Sequence, residues 1–156
     1  MVQYYSASPH RTTSTAAEPY YSQKQRRHGM NVQVMATPDG TPLWFSRATP
    51  GRTRDLTAAR AHGIVQACLT REVLVLAVRA CQGADATVRT PYKHHREQPA
   101  HYQQYNRDHA RLRAPGERPF AQLKSWRPLR RARCSTRPIG TIVQAIHTLL
   151  TCAYSG

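Results

Sequence analysis

The sequence predicts a small mixed α/β domain, and three stretches carry that expectation. Asn31 to Ala36 reads Asn-Val-Gln-Val-Met-Ala, an alternation that suits a strand. Thr37-Pro-Asp-Gly-Thr41 supplies turn chemistry with Asp-Gly at its tip, and Leu43-Trp-Phe-Ser46 returns, so the two runs form a β-hairpin. Glu72-Val-Leu-Val-Leu-Ala-Val78 is continuously apolar and rich in β-branched residues. Such a run suits a strand buried on both faces, inside an α/β sheet.

The other elements follow in order. Residues 1–18 lack apolar periodicity, and residues 1–17 are rich in Ser, Thr and Tyr, so the segment is expected to be disordered or unrelated to the domain. Glu18 to Met30 is a basic lead-in. Thr49-Pro-Gly-Arg-Thr-Arg-Asp55 is a loop opening a helix from Leu56 to about Ala67. Gln82 to Gln98 is a polar connection. Ala100 to about Arg113 and Glu117 to about Trp126 read as helix, broken or kinked at Pro115-Gly116. Thr141 to Ala153 is a last helix carrying Ile142, Ala145, Ile146, Leu149 and Leu150. One domain over residues 19–156 is the expected organisation.

Bulk properties narrow the partners. The 156 residues fit one modest domain. A formal charge of +15 and a pI near 10.7 favour a polyanion, and nucleic acid before membrane, because no apolar anchor accompanies the charge. Residues 88 to 137 hold 13 Lys/Arg against 3 acids, so most of the excess sits in the C-terminal half. No apolar run approaches the length of a membrane span, and no signal peptide is visible. Cys68, Cys81, Cys134 and Cys152 lie 13, 53 and 18 positions apart, which excludes a zinc ribbon and reads as reduced cytoplasmic thiols. His94, His95, His101 and His109 cluster without cysteine partners or regular spacing, so zinc is disfavoured. Tyr92, Tyr102 and Tyr105 interleave with Lys93, Arg96 and Arg107, a pattern compatible with stacking on bases, although packed or half-exposed aromatics are commoner.

The organising stretch is Arg113-Ala-Pro-Gly-Glu-Arg-Pro-Phe-Ala-Gln-Leu-Lys-Ser-Trp126. Its one acid, Glu117, stands among Arg113, Arg118 and Lys124, with Phe120, Leu123 and Trp126 on one helical face. An acid in a first helical turn is also favoured by the helix dipole. The stretch resembles the final-acid helix of bacterial insertion-sequence DDE transposases. Further blocks match in the same order: Tyr20-Tyr-Ser, Arg27-His-Gly-Met-Asn-Val-Gln33, Pro50-Gly51 with Asp55-Leu-Thr-Ala-Ala-Arg60, Gln82-Gly-Ala, Val88-Arg-Thr-Pro-Tyr-Lys93 and Ile142-Val-Gln-Ala-Ile146.

The resemblance implies an α/β fold with an incomplete RNase H-like core: a β-hairpin, one buried strand and three or more helices, lacking its N-terminal strand. In a complete core that strand would sit centrally, so its absence is expected to leave Val73 to Val78 without a hydrogen-bonding neighbour. It also implies DNA cleavage and joining at transposon ends, with Mg2+ or Mn2+ held by three carboxylates. Glu117 is the expected catalytic and metal-binding acid. No acid precedes Glu18, so the first aspartate is expected to be missing, lost with an absent N-terminal part. The second aspartate position holds Val78, a degenerate catalytic position. Asp55 is a weaker metal candidate, and a helix N-cap role suits it better.

Arg113, Arg118, Lys124, Arg127, Arg130, Arg131 and Arg133 are the expected DNA contacts, four of these arginines falling at 127–133. Two readings follow. One is a truncated, catalytically inactive transposase with residual DNA binding. The other is a stoichiometric basic nucleic-acid-binding or regulatory protein derived from a transposase. The expected location is the bacterial cytoplasm, at the nucleoid when bound to DNA.

Overall fold

The structure, a computed structural model, describes residues 2–4, 19–23, 26–130 and 135–154. Its central strand is β4 (Met30–Ala36), reached after β1 (Val2–Tyr4), β2 (Tyr21–Ser22) and β3 (Arg27–His28). β1 pairs antiparallel with one edge of β4, Val2 opposite Val34 and Tyr4 opposite Val32. On the other edge, β5 (Pro42–Phe45) sets Phe45 opposite Val34, and β6 (Thr49–Pro50) sets Thr49 opposite Asn31. The hairpin is as expected. Within the segment expected to be disordered or unrelated, Val2–Tyr4 is a strand, and residues 5–18 lie outside the described residues.

Alternation along β4 sorts its side chains between two layers. Met30, Val32 and Val34 face a core with Phe45, Phe120, Leu123, Leu129, Ile139, Val143 and Ile146. That layer is built by α4 (Arg118–Ser125), α5 (Arg127–Arg130) and α6 (Thr136–Tyr154). α6 begins before the expected Thr141, and its Gln144 Nε2 donates to the Phe45 carbonyl at 2.8 Å, tying the helix to β5.

The opposite face of β4 carries Asn31, Gln33 and Met35 and is covered by α1 (Asp55–Ala61), which in turn packs on α2 (Ile64–Thr70). The helix expected from Leu56 to Ala67 is thus two helices. They break at His62-Gly63, where Gly63 adopts φ +69°, a left-handed conformation that glycine reaches cheaply. Ala59, Val65 and Cys68 form a second core with Val75, Ala77, Cys81, Ala84 and Val88, and Met35 packs against it.

Two expectations for Val73 to Val78 are corrected here. Only β7 (Val75–Leu76) is strand, and it has a neighbour, the parallel β8 (Val88–Arg89). Val75 N–H donates to the Thr87 carbonyl at 2.9 Å and Ala77 N–H to the Arg89 carbonyl at 2.8 Å. Nor is the run buried on both faces, because Val73 is 42% and Leu74 65% exposed. An apolar run fixes burial on one side of a strand only when another layer exists to cover the second. The pair β7–β8 stands as a separate two-stranded sheet.

α3 (Ala100–Arg113) has the expected bounds. The break or kink expected at Pro115-Gly116 takes the form of a 3-10 turn, Ala114–Glu117, that passes directly into α4. Pro115 is tolerated because it lies in the opening turn, where its missing N–H has no helical partner to lose. Cys68 and Cys81 are buried and Cys152 is exposed, none of the three in a disulfide, while Cys134 lies outside the described residues.

Candidate functional site

Glu117 ends the 3-10 turn and precedes α4, in which Pro119 is buried and Phe120 and Leu123 belong to the main core. The glutamate itself is half exposed and pairs with Arg113, four residues earlier. The turn is held from outside by the hairpin tip. Arg118 Nη1 donates to the Asp39 carbonyl at 3.1 Å, and Gly40 packs on the Pro115 carbonyl. Asp39 spends its carboxylate within the tip, accepting from Thr37 Oγ1, Thr41 N–H and Thr41 Oγ1. Those hydrogen bonds, that from Thr37 first, hold its pKa below the ordinary value.

Val78 follows β7 in extended conformation and packs, half buried, against the second core. Leu76 before it, and Arg113 and Gly116 beside Glu117, line one cleft of about 460 Å3. Glu117 and Val78 are thus near residues of that lining in sequence without belonging to it. The walls of the cleft are apolar: Val34, Met35, Leu43, Val73, Leu74 and Leu112.

Asp55 corrects its expected role. Arg54 is the N-cap, and Asp55 is the first helical residue, 4% exposed. Its Oδ1 accepts Asn31 Nδ2 at 3.0 Å. Asn31 Oδ1 in turn accepts Gln33 Nε2 at 2.7 Å, and Asn31 Nδ2 also reaches the Thr53 carbonyl at 3.1 Å. This buried polar chain was not legible in the sequence. Asn31 and Gln33 alternate with valines, which in a strand normally marks a solvent face, but here α1 covers them. The chain fastens the helix to β4 and satisfies groups that burial would otherwise penalise.

Of the expected DNA contacts, Arg118, Lys124, Arg127 and Arg130 are exposed, Arg113 is half buried against Glu117, and Arg131 and Arg133 lie outside the described residues. α5 is short, but Leu129 is fully buried between Arg127 and Arg130 and Trp126 packs on the same core. Among the described residues neither Arg127 nor Arg130 has an ion-pair partner. The tyrosines are packed on one another, Tyr92 stacking on Tyr102 with ring centroids 4.0 Å apart. No helix among the described residues is long and apolar enough to cross a membrane.

Fold and sequence together define the class. The sequence model of the DDE superfamily endonucleases matches residues 7–151, and the chain belongs to that family. More narrowly, its mixed α/β arrangement is an incomplete RNase H-like domain of the DDE transposase type. No curated protein and no solved structure matches it.

The family's function is that of a transposase-type nuclease with DNA as substrate, and DDE endonucleases typically use divalent metal ions. The residues present do not fit such ions. Among the described residues no group of three or more His, Cys, Asp or Glu side chains comes together. Glu117 is engaged by a guanidinium, Asp55 by Asn31, and the Val78 side chain offers no oxygen. Hard cations need several converging oxygens.

Proposed function

We propose that this chain is a DDE transposase relative that binds DNA and does not cut it. The observation that carries the reading is α5: Leu129 anchors it in the core while Arg127 and Arg130 remain exposed, with no acidic partner among the described residues. Guanidinium groups held on a fixed frame meet phosphates with little ordering cost. The excess of cations over residues 88–137 enlarges the same field. Binding of this kind reads backbone rather than bases, so it does not require the terminal repeats of a transposon. In a bacterial cell it would place the chain at the nucleoid.

Catalytic silence follows from the donor set. Three carboxylates of such a site act as one unit, so an apolar Val78 side chain in place of one of them disables the set rather than weakening it. Glu117 stands at a position the family's motif assigns to an acid, and its charge is paired with Arg113.

Fluorescence anisotropy with two unrelated duplexes across a salt series tests the reading. Neutralising about four to six phosphates gives a log K against log salt slope of roughly −4 to −5. Replacing Arg127, Arg130, Arg131 and Arg133 by alanine should flatten that slope by up to about four units and weaken both duplexes alike. A steep slope that survives those replacements would place the DNA surface elsewhere.

A further inference from the structure

A second surface of the molecule combines aromatic rings with cations in a form the duplex-binding reading does not use. It lies where the segment after β8 crosses α3. Tyr92 N–H donates to Asn106 Oδ1 at 2.8 Å, and Asn106 Nδ2 donates back to the Tyr92 carbonyl at 3.2 Å. One turn further along α3, buried His109 places Nε2 3.2 Å from the Arg89 carbonyl. The backbone around Tyr92 is thereby pinned at two points to a rigid helix.

The ring is fixed as well. It stacks on Tyr102 with 22° between planes, and Tyr105 meets it edge-on at 5.0 Å and 62°. His101 adds an edge to Tyr102 at 4.3 Å. Despite these contacts Tyr92 remains 44% exposed. Directly after it, Lys93, His94, His95 and Arg96 are all exposed. Gln98 Nε2 reaches back to the Lys93 carbonyl at 3.3 Å, closing this loop on itself.

We propose that the Tyr92–Tyr102 stack and the Lys93–Arg96 loop form a seat for single-stranded DNA, an unpaired base extending the stack and Lys93 and Arg96 meeting its phosphates. Base stacking on a tyrosine is sequence-tolerant because every base has a π-face. A ring already immobilised by Asn106 and Tyr102 loses little freedom on binding. Duplex DNA keeps its bases stacked internally and cannot use the ring, so this site and α5 differ in the strand form they take.

The test compares a fluorescein-labelled thymidine 12-mer with an abasic strand of equal length and charge, by anisotropy on the full chain. The thymidine strand should bind about fivefold to 150-fold more tightly, the range one stacked base contributes. Tyr92→Ala should remove most of that preference and leave duplex affinity unchanged. Tyr92→Phe should keep it, and Tyr92→Trp should strengthen it, which decides the matter should the alanine variant unfold. Equal affinity for the two strands, or a preference indifferent to Tyr92→Ala and Tyr92→Trp, would overturn the proposal. Loss of duplex binding in the α5 arginine variant with the strand preference intact would separate the two surfaces. Duplex binding without any base preference would defeat this site alone.

Discussion

Gly40 rests directly on the carbonyl of Pro115: a β-carbon at Gly40 would lie 2.6 Å from that oxygen. The contact joins residues far apart in sequence and seats the hairpin tip on the turn that carries Glu117. Gly40 also has φ +93°, a region side chains rarely adopt. Gly40→Ala should therefore cost about 1–3 kcal/mol from backbone strain alone, with the clash added. Gly63→Ala is the control, since Gly63 has positive φ but nothing within 4 Å. Urea denaturation of the two variants should rank Gly40→Ala as clearly the more destabilised, and equal midpoints would refute the contact.

The Asn31–Asp55 pair is the next. Removing the amide leaves a buried carboxylate short of a donor, and hydrogen bonds to charged groups contribute roughly 1.5–3 kcal/mol. Asn31→Ala should lower stability by about that much, whereas Thr57→Ala on the exposed side of α1 should change it by less than about 0.5 kcal/mol. Chemical denaturation distinguishes them.

His62 predicts a pH dependence. Its pKa lies below the ordinary 6.5, first because burial disfavours the cation and also because the Arg47 charge repels it, against a hydrogen bond with the Arg47 backbone. Its ring meets Trp44 edge-on, centroids 6.1 Å apart. The unfolded chain therefore binds a proton more readily than the folded one. Stability contributed by neutral His62 is complete above about pH 6.5 and is lost as pH falls towards the folded value. His62→Gln should flatten the fall in melting temperature over that window, and an unchanged slope would count against it.

Nuclease activity should be absent. Supercoiled plasmid with Mg2+ or Mn2+ should stay uncut, and Val78→Asp alone should not restore cutting, because an acid there still lacks partners. That substitution should also destabilise the chain, by about 1–3 kcal/mol, since Val78 packs against the second core. Nicking above background that vanishes in Glu117→Gln would contradict the reading.

The cleft makes a solubility prediction. Leu74 and Leu112 line it and are each 65% exposed, so apolar wall is open to solvent. Leu74→Lys with Leu112→Lys should reduce light scattering on concentration while leaving the denaturation midpoint nearly unchanged. A large fall in midpoint would mean that these side chains are packed in solution.

What the sequence by itself determined is what short-range chemistry governs. The Asp39-Gly40 turn between alternating runs specified the hairpin, the spacing of Phe120 and Leu123 specified the inward face of α4, and the ordered motif blocks specified the family. Val78 at an expected acid position was likewise visible without coordinates. Tertiary structure decided whatever depended on a covering layer. Asn31 and Gln33 became interior because α1 lies over them, and Asp55 turned from a presumed cap into the partner of Asn31 because β4 runs beneath it. Val73 and Leu74, just ahead of β7, stayed exposed because the strand pairing begins only at Val75. Periodicity tells a strand that its two faces differ; only the neighbours, remote along the chain, determine which of them meets solvent.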